Sequence, residues 1–195
     1  MTTTDYAARL SIEYPDRPLS RLSTFLRIIY VIPIAIVAAL LSSHTGWAGV
    51  LFAPVLLMIL FRRKYPRWWF DFNLQLSRLA TRVGAYVAFM SDTYPSTDEE
   101  QYVHLELDYP DAERDLNRWL PLVKWFLAIP HLVVLVFLSI GALLAGIGAW
   151  FVILFTGRYP RGIFDYIEGV MRWWLRVEAY AVLLITDEYP PFRLS

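Results

Sequence analysis

From residue 125 to residue 155 the chain carries 31 consecutive residues without a formal charge. No other feature limits its folding so strongly. A single α-helix of that length reaches about 46 Å at 1.5 Å per residue, far past a hydrocarbon core of roughly 30 Å. The run is therefore expected to fold back on itself, with the bend at residues 139–141 and Gly146 and Gly148 as competing positions. Residues 28–41 and 47–61 form a second uncharged pair around SSHTG at 42–46, which reads as a turn. Two helical hairpins, and so four membrane helices, are predicted. Every Lys and Arg falls in residues 9–27, 62–82, 114–124, 158–176 or at 193, and neither predicted turn is charged. All the charge then lies on one face, which the positive-inside rule makes cytoplasmic, with both termini on that side.

What surrounds the apolar runs occurs twice. Residues 61–86 and 155–180 match at eleven positions with a constant offset of 94, among them Tyr65-Pro66-Arg67, Asp71, Arg78, Arg82 and Tyr86 against Tyr159-Pro160-Arg161, Asp165, Arg172, Arg176 and Tyr180. The predicted organisation is a first repeat over 1–97, with its hairpin at about 25–61, and a second over 98–195, with its hairpin at about 119–156. The two form one pseudo-twofold body, joined by the acidic spacer STDEEQ at 96–101. The six Tyr-Pro pairs, at 14, 65, 94, 109, 159 and 189, read as boundary markers.

After each hairpin the polar residues fall three or four apart, which predicts amphipathic helices over about 67–84 and 161–178. Asp165, Glu168, Arg172 and Arg176 line one side of the second, opposite Phe164, Ile167, Met171 and Trp174; Asp71, Gln75, Arg78 and Arg82 repeat the stripe in the first. Such helices suit a membrane interface, with Trp68, Trp69, Trp173 and Trp174 as headgroup-level anchors. Residues 10–14, 85–90, 102–109 and 179–185 are candidate strands of a small cytoplasmic sheet. The fold class is thus a membrane α+β protein of two tandem repeats.

Hydrophobic residues make up 57% of the chain and charged residues 18%, below the roughly 25% charged of soluble domains. Eighteen basic residues balance eighteen acidic ones, so nothing recruits nucleic acid, and the absence of cysteine removes thiolate chemistry. The start, MTTTDYAARL, lacks the basic and apolar regions of a signal peptide. No phosphate-binding loop, HExxH pair or nucleophile elbow is present. No catalytic residue, metal ligand or cofactor is predicted. Two sets of residues remain as candidates. His131 lies about seven residues, or roughly 10 Å, into the apolar run, where an ionisable group is a functional candidate. Its bland alternative is a neutral imidazole bonded to a carbonyl freed by Pro130. Arg67, Arg158, Arg161, Arg172 and Arg176 cluster where lipid phosphates would lie, although such stripes also arise as ordinary surface pairs.

The YPD strand, the entry KWFLAIPH (124–131), FTGRYPRGIFD (155–165) and the closing TDEYPPF (186–192) resemble the bacterial membrane family DUF4389, a family of unknown function. The first half departs from the pattern: Ile34 stands for the histidine, Arg62-Arg63-Lys64 for Thr-Gly-Arg and Trp68-Trp69 for Gly-Ile. The resemblance implies residence in the bacterial cytoplasmic (inner) membrane and brings no reaction with it. The expected function is a non-catalytic scaffold or accessory subunit of a membrane complex. Its expected partners are lipids and a membrane protein or a second copy of itself. The alternative is a lipid-binding or ion- or solute-conducting protein.

Overall fold

The computed structural model describes residues 6–46, 55–97, 99 and 101–195. Its elements are β1 (Ala8–Ile12), α1 (Arg21–Gly46), a π-helical turn (Met58–Arg62), α2 (Arg67–Val87), β2 (Val103–Leu107), a 3-10 turn (Leu120–Leu122), α3 (Lys124–Thr156) and α4 (Arg161–Ala181). The described residues are mostly helical, with one two-stranded sheet.

β1 and β2 pair antiparallel with Leu10 opposite Leu105, Ala8 opposite Leu107 and Ile12 opposite Val103. Counted from the Tyr-Pro-Asp that follows each strand, Leu10 and Leu105 are the same position of the two repeats. An element that pairs with its own repeat at a shared residue has a twofold axis through that residue, normal to the sheet. Side-chain contacts onto the strands and between the helices obey the same exchange. Arg78 Nε donates to the Leu105 carbonyl at 3.1 Å, and Arg172 Nε donates to that of Leu10 at 2.9 Å. Glu178 bonds Ser77 across the crossing of α2 and α4, while a Cβ on Gly84 would stand 3.2 Å from the Met171 methyl. Ser77 is the counterpart of Met171, and Gly84 of Glu178.

Along that axis the elements stack in three layers. α4 turns Glu168 and Arg172 toward β1, where Glu168 also accepts from the Ile12 amide. Its opposite side, with Tyr166, Trp173 and Val177, packs on α3. Helices occupy both stretches, Arg67–Val87 and Arg161–Ala181, and of their polar stripe Arg78, Glu168 and Arg172 face the strands. Strand backbone carbonyls offer arginine better acceptors than water does, so Arg78 and Arg172 are spent inside the protein.

The long apolar run does not fold back. α3 is continuous through Ser139, Gly141, Gly146 and Gly148, because tertiary packing overrides the weak helix propensity of glycine. At Gly141 the missing side chain admits the Tyr166 hydroxyl, which a Cβ would meet at 2.6 Å, and that hydroxyl donates to the Leu138 carbonyl at 2.9 Å. The helix stops at Gly157, whose φ of +73° is left-handed. Nor does α1 turn at SSHTG: its backbone stays helical to Gly46. It is instead bent by 49° between Arg27 and Ile29, where Pro33 withholds the amide that would bond the Ile29 carbonyl. Residues 47–54, the start of the predicted return arm, lie outside the described residues.

Four membrane helices are therefore corrected to fewer. Among the described residues one helix, α3, is long and apolar enough to cross a membrane, and the bent first part of α1 makes a second if counted as one span. The four predicted strands are likewise two among the described residues. Residues 85–87 and 179–181 complete α2 and α4, which then turn through Phe89 at φ +63° and Leu184 at φ +57°. In the first copy the Phe89 amide reaches the Tyr86 carbonyl and the Met90 amide that of Ala85, the paired bonds of a Schellman helix end.

α3 also begins and ends at one level of the stack. Its head is held by residues 186–187 of its own repeat. Its tail lies against the start of α1, where Trp150 Nε1 donates to the Thr24 carbonyl at 3.3 Å and the Leu19 amide to the Gly157 carbonyl at 2.8 Å. The starts of α1 and α3 are exchanged by the twofold axis, so both ends of α3 sit at the same height along it.

Candidate functional site

At the head of each long helix a buried cation meets a carboxylate from the segment that closes its own repeat. Lys124, fully buried, lies 2.8 Å from Asp187 and donates to the Thr186 carbonyl at 2.7 Å, with the Tyr180 ring centroid 5.0 Å away. Arg27 takes the same place in the first repeat, paired with Asp92, bonded to the Tyr86 carbonyl and set over the Tyr86 ring. Each acid also accepts an amide just ahead of its helix, that of Asn117 for Asp187 and that of Ser20 for Asp92. These clamps hold the apolar helices against the polar body. Their sequence signal was the repeated basic residue before each Ile-Pro and the Asp of each closing segment.

The Tyr-Pro tyrosines form a second reciprocal set that the sequence did not assign. Tyr14 donates to the Tyr159 carbonyl at 2.5 Å and Tyr109 to that of Tyr65 at 2.6 Å, while Tyr65 donates to Leu183 and Tyr159 to Ala88. All four bonds cross between repeats. Burial pushes the phenols of Tyr65 and Tyr159 well above their usual range, so both remain donors. The recurrence of Tyr-Pro at matched offsets was the signal that could have found this seam.

His131 is wholly buried in an aromatic box. Trp173 Nε1 donates to its Nδ1 at 3.0 Å, Phe192 stacks on it with centroids 3.9 Å apart, and Tyr189 lies 4.7 Å away. An Nδ1 that accepts puts the ring proton on Nε2, a neutral imidazole. The bonding partner is thus a tryptophan rather than a carbonyl freed by Pro130. The box pins the closing segment of the second repeat to α3. Among the described residues no group of three or more His, Asp and Glu side chains could hold a metal ion.

Beside this box, α3 and α4 form a half-open cavity of about 370 Å³ lined by Trp125, Ala128, Leu132, Trp174, Val177, Glu178, Ala181 and Val182. Glu178 is its one ionisable group. The residue is half-buried, and its carboxyl meets Ser77 of α2. Burial raises the carboxyl above the usual carboxylate range, only partly offset by the hydrogen bond from Ser77.

A domain model described as a domain of unknown function, DUF4389, matches residues 21–97 and again residues 119–193. The chain belongs to the DUF4389 family. No curated protein and no solved structure matches it.

The two DUF4389 copies deploy the predicted arginines and tryptophans unequally. Arg67 and Arg161 are exposed, each beside an acid one turn on and over a tyrosine of the other repeat, Tyr109 and Tyr14. Arg158 is also exposed and lines a cavity of about 360 Å³ with Asp16 and Arg17. Arg172 and Arg176 are turned inward: Arg172 pairs with Glu168 at 2.7 Å, and Arg176 donates to the carbonyls of Arg193 and Ser195. Of the four tryptophans, Trp68 and Trp174 reach the surface, whereas Trp69 and Trp173 are buried.

The described surface of this DUF4389 protein carries a long apolar face. α3 buries a stripe through Lys124, Ala128, His131, Leu135, Gly146, Ala149 and Ile153. Its other side leaves Phe126 72%, Phe137 70% and Phe155 78% exposed, and α1 adds Leu22, Phe25, Ile32, Ile36 and Leu40. A continuous apolar surface on that scale marks an interaction site.

Proposed function

We propose that the protein is a non-catalytic, membrane-bound scaffold or accessory subunit that lies in one leaflet. α1 and α3 are immersed in lipid, and the α2, α4 and strand layers form a platform on the cytoplasmic side, where both termini lie. The observation that carries this reading is the outer face of α3, apolar along its whole length while both ends are tied to one level of a polar body. An immersed face of this kind replaces exposed hydrocarbon with lipid contact, the arrangement of monotopic proteins. Exposed Arg67, Arg158 and Arg161 are then candidate contacts for lipid phosphate, with Trp68 and Trp174 as anchors at the same depth.

The chain contains no cysteine, so single cysteines report on sidedness directly. Glu113→Cys ahead of α3, Arg158→Cys behind it and Phe137→Cys at its middle are each exposed to a membrane-impermeant maleimide, in intact spheroplasts and in inverted vesicles. Positions 113 and 158 are expected to label from the same, cytoplasmic side, and position 137 from neither. Labelling of 113 and 158 from opposite sides overturns the one-leaflet reading. The scaffold reading is tested by extraction into a mild polymer and mass measurement: a partner at fixed stoichiometry is expected, and a homogeneous partner-free monomer overturns it.

A further inference from the structure

Arg78 and Arg82 of α2 match Arg172 and Arg176 of α4, yet the two pairs are unequally satisfied. Each pair gives one Nε to a strand carbonyl, Arg78 to Leu105 at 3.1 Å and Arg172 to Leu10 at 2.9 Å. In the second repeat all four terminal nitrogens are occupied as well. Arg172 Nη2 donates to Glu168 at 2.7 Å and Nη1 to the Leu194 carbonyl at 3.2 Å, while Arg176 donates to the carbonyls of Arg193 and Ser195 at 3.1 and 2.7 Å. Residues 193–195 cap that pair. In the first repeat, among the described residues, one terminal nitrogen of the four has a partner: Arg82 Nη1 donates to the Ser96 carbonyl at 2.9 Å. Leu74 stands where Glu168 stands in the second copy, and no acid pairs with Arg78 or Arg82 among the described residues.

Both arginines line one half-open cavity of about 80 Å³ between α2 and β2, with Val103, His104, Leu105 and Glu106 as its other wall. The two ionisable groups of that wall are engaged with β1, His104 with Glu13 at 2.9 Å and Glu106 with Arg9 at 3.3 Å. Arg82 is 5% exposed, and a guanidinium buried without an acid is costly unless other groups meet its charge. Carbonyls and Glu168 do so in the second repeat. A second tail is not the missing group in the first, because a Cβ at Gly169 would stand 2.8 Å from the Leu194 Cβ and the counterpart of Gly169 is Gln75. The cavity suits a compact anion instead.

We infer that Arg78 and Arg82 form a binding site for a phosphate monoester group that enters from the aqueous side of the strand layer. Guanidinium forks match phosphate oxygens through pairs of parallel hydrogen bonds. A phosphate monoester carries close to two negative charges at neutral pH, against one for a carboxylate, and so balances both arginines. Because the cavity opens onto β2, in the layer farthest from α3, lipid phosphates do not reach it. That exclusion rests on the membrane placement proposed above, whereas the site itself does not. The group belongs either to a small soluble phosphate ester or to a phosphorylated side chain of a partner, and the two are separable by experiment.

The full-length protein, held in a non-ionic amphipol, is titrated by calorimetry at fixed ionic strength. The probes are inorganic phosphate, acetate and the peptide acetyl-glycyl-phosphoseryl-glycinamide. Inorganic phosphate is expected to bind once per chain and at least about tenfold more tightly than acetate. Arg78→Gln should weaken phosphate at least about tenfold. Should that variant fail to fold, Leu74→Glu takes its place: it gives Arg78 the acid that Arg172 has in Glu168, and it should weaken phosphate by the same factor with both arginines intact. If the phosphopeptide binds at least as tightly as inorganic phosphate, the source is a phosphorylated side chain; if it binds more weakly, the source is a free phosphate ester. Equal binding of phosphate and acetate overturns the inference, as does binding at two sites per chain or phosphate affinity unchanged in the variant. Phosphate binding that persists while positions 113 and 158 label from opposite sides of the membrane keeps the site and removes only the exclusion of lipid.

Discussion

Replacing Asp187 by Asn leaves Lys124 charged and buried with its countercharge removed. The ammonium is wholly buried and 2.8 Å from the carboxylate, whose side chain is 20% exposed. Breaking a buried pair from one side costs about 3–5 kcal/mol. Here the loss belongs at the lower end, about 3 kcal/mol, because the Thr186 carbonyl and the Tyr180 ring remain beside the ammonium. The side-chain amide introduced by Asp187→Asn also keeps an oxygen for the backbone amide of Asn117. In a chain of this size each kcal/mol moves Tm by about 2–4 °C, so a fall of about 6–12 °C is expected. The assay is thermal unfolding in a mild non-ionic detergent, followed by tryptophan fluorescence. Adding Lys124→Met to Asp187→Asn should restore most of the loss, since an apolar side chain of similar volume needs no partner. The matched clamp gives an internal control: Asp92→Asn strands Arg27, itself 1% exposed, and should cost about as much. A drop of less than about 2 °C for Asp187→Asn, or no recovery in the double variant, would refute the clamp as a stabilising element.

The helix ends make a second prediction. Arg63, at φ +47°, occupies the left-handed position that Gly157 fills in the other repeat, so Arg63→Gly should stabilise by about 1 kcal/mol and Gly157→Ala destabilise by about 1–2 kcal/mol in the same unfolding assay. Gly141→Ala forces the Tyr166 hydroxyl from its seat and should cost about 1–2 kcal/mol; Tyr166→Phe in the same chain, which removes the clashing oxygen, should recover much of it. Glu178 has a raised carboxyl in the folded state, so the fold holds more protons than the unfolded chain once pH exceeds the unfolded carboxylate range. Its contribution is present at low pH and is lost as pH rises through the raised value. The Tm of Glu178→Gln relative to the parent should therefore climb with pH, and a difference that is flat or falls with pH would contradict the burial of this group.

Periodicity made the amphipathic helices legible, because Asp165, Glu168, Arg172 and Arg176 repeat at helical spacing whatever they touch. It could not tell which way that stripe faced. Solvated charges and arginines that cap strand carbonyls leave the same pattern, and only the register of Leu10 against Leu105 decides it. The bend predicted near Gly141 failed because a glycine that breaks a helix and a glycine that admits a tyrosine look alike until Tyr166 is in place. The strands predicted at residues 85–90 and 179–185 failed for a related reason: a short apolar run at a helix end has no period to distinguish it from a buried strand. The Glu178 cavity was beyond sequence reading altogether. Trp125 lies 53 residues from Glu178 in the chain, and nothing in their spacing brings them to one wall.

The pairing of Leu10 with Leu105 also governs what half of this molecule could be. A strand that meets its own repeat at a shared residue has no partner within one copy. The four tyrosine bonds that cross the seam have none either. A chain carrying one copy alone would have to find a second molecule to close its sheet, forming a symmetric dimer whose assembly falls with dilution. Fusing two copies through residues 96–101 removes that dependence on concentration. It also frees each copy to change separately, so that Glu178 can stand on one side of the axis where Gly84 stands on the other.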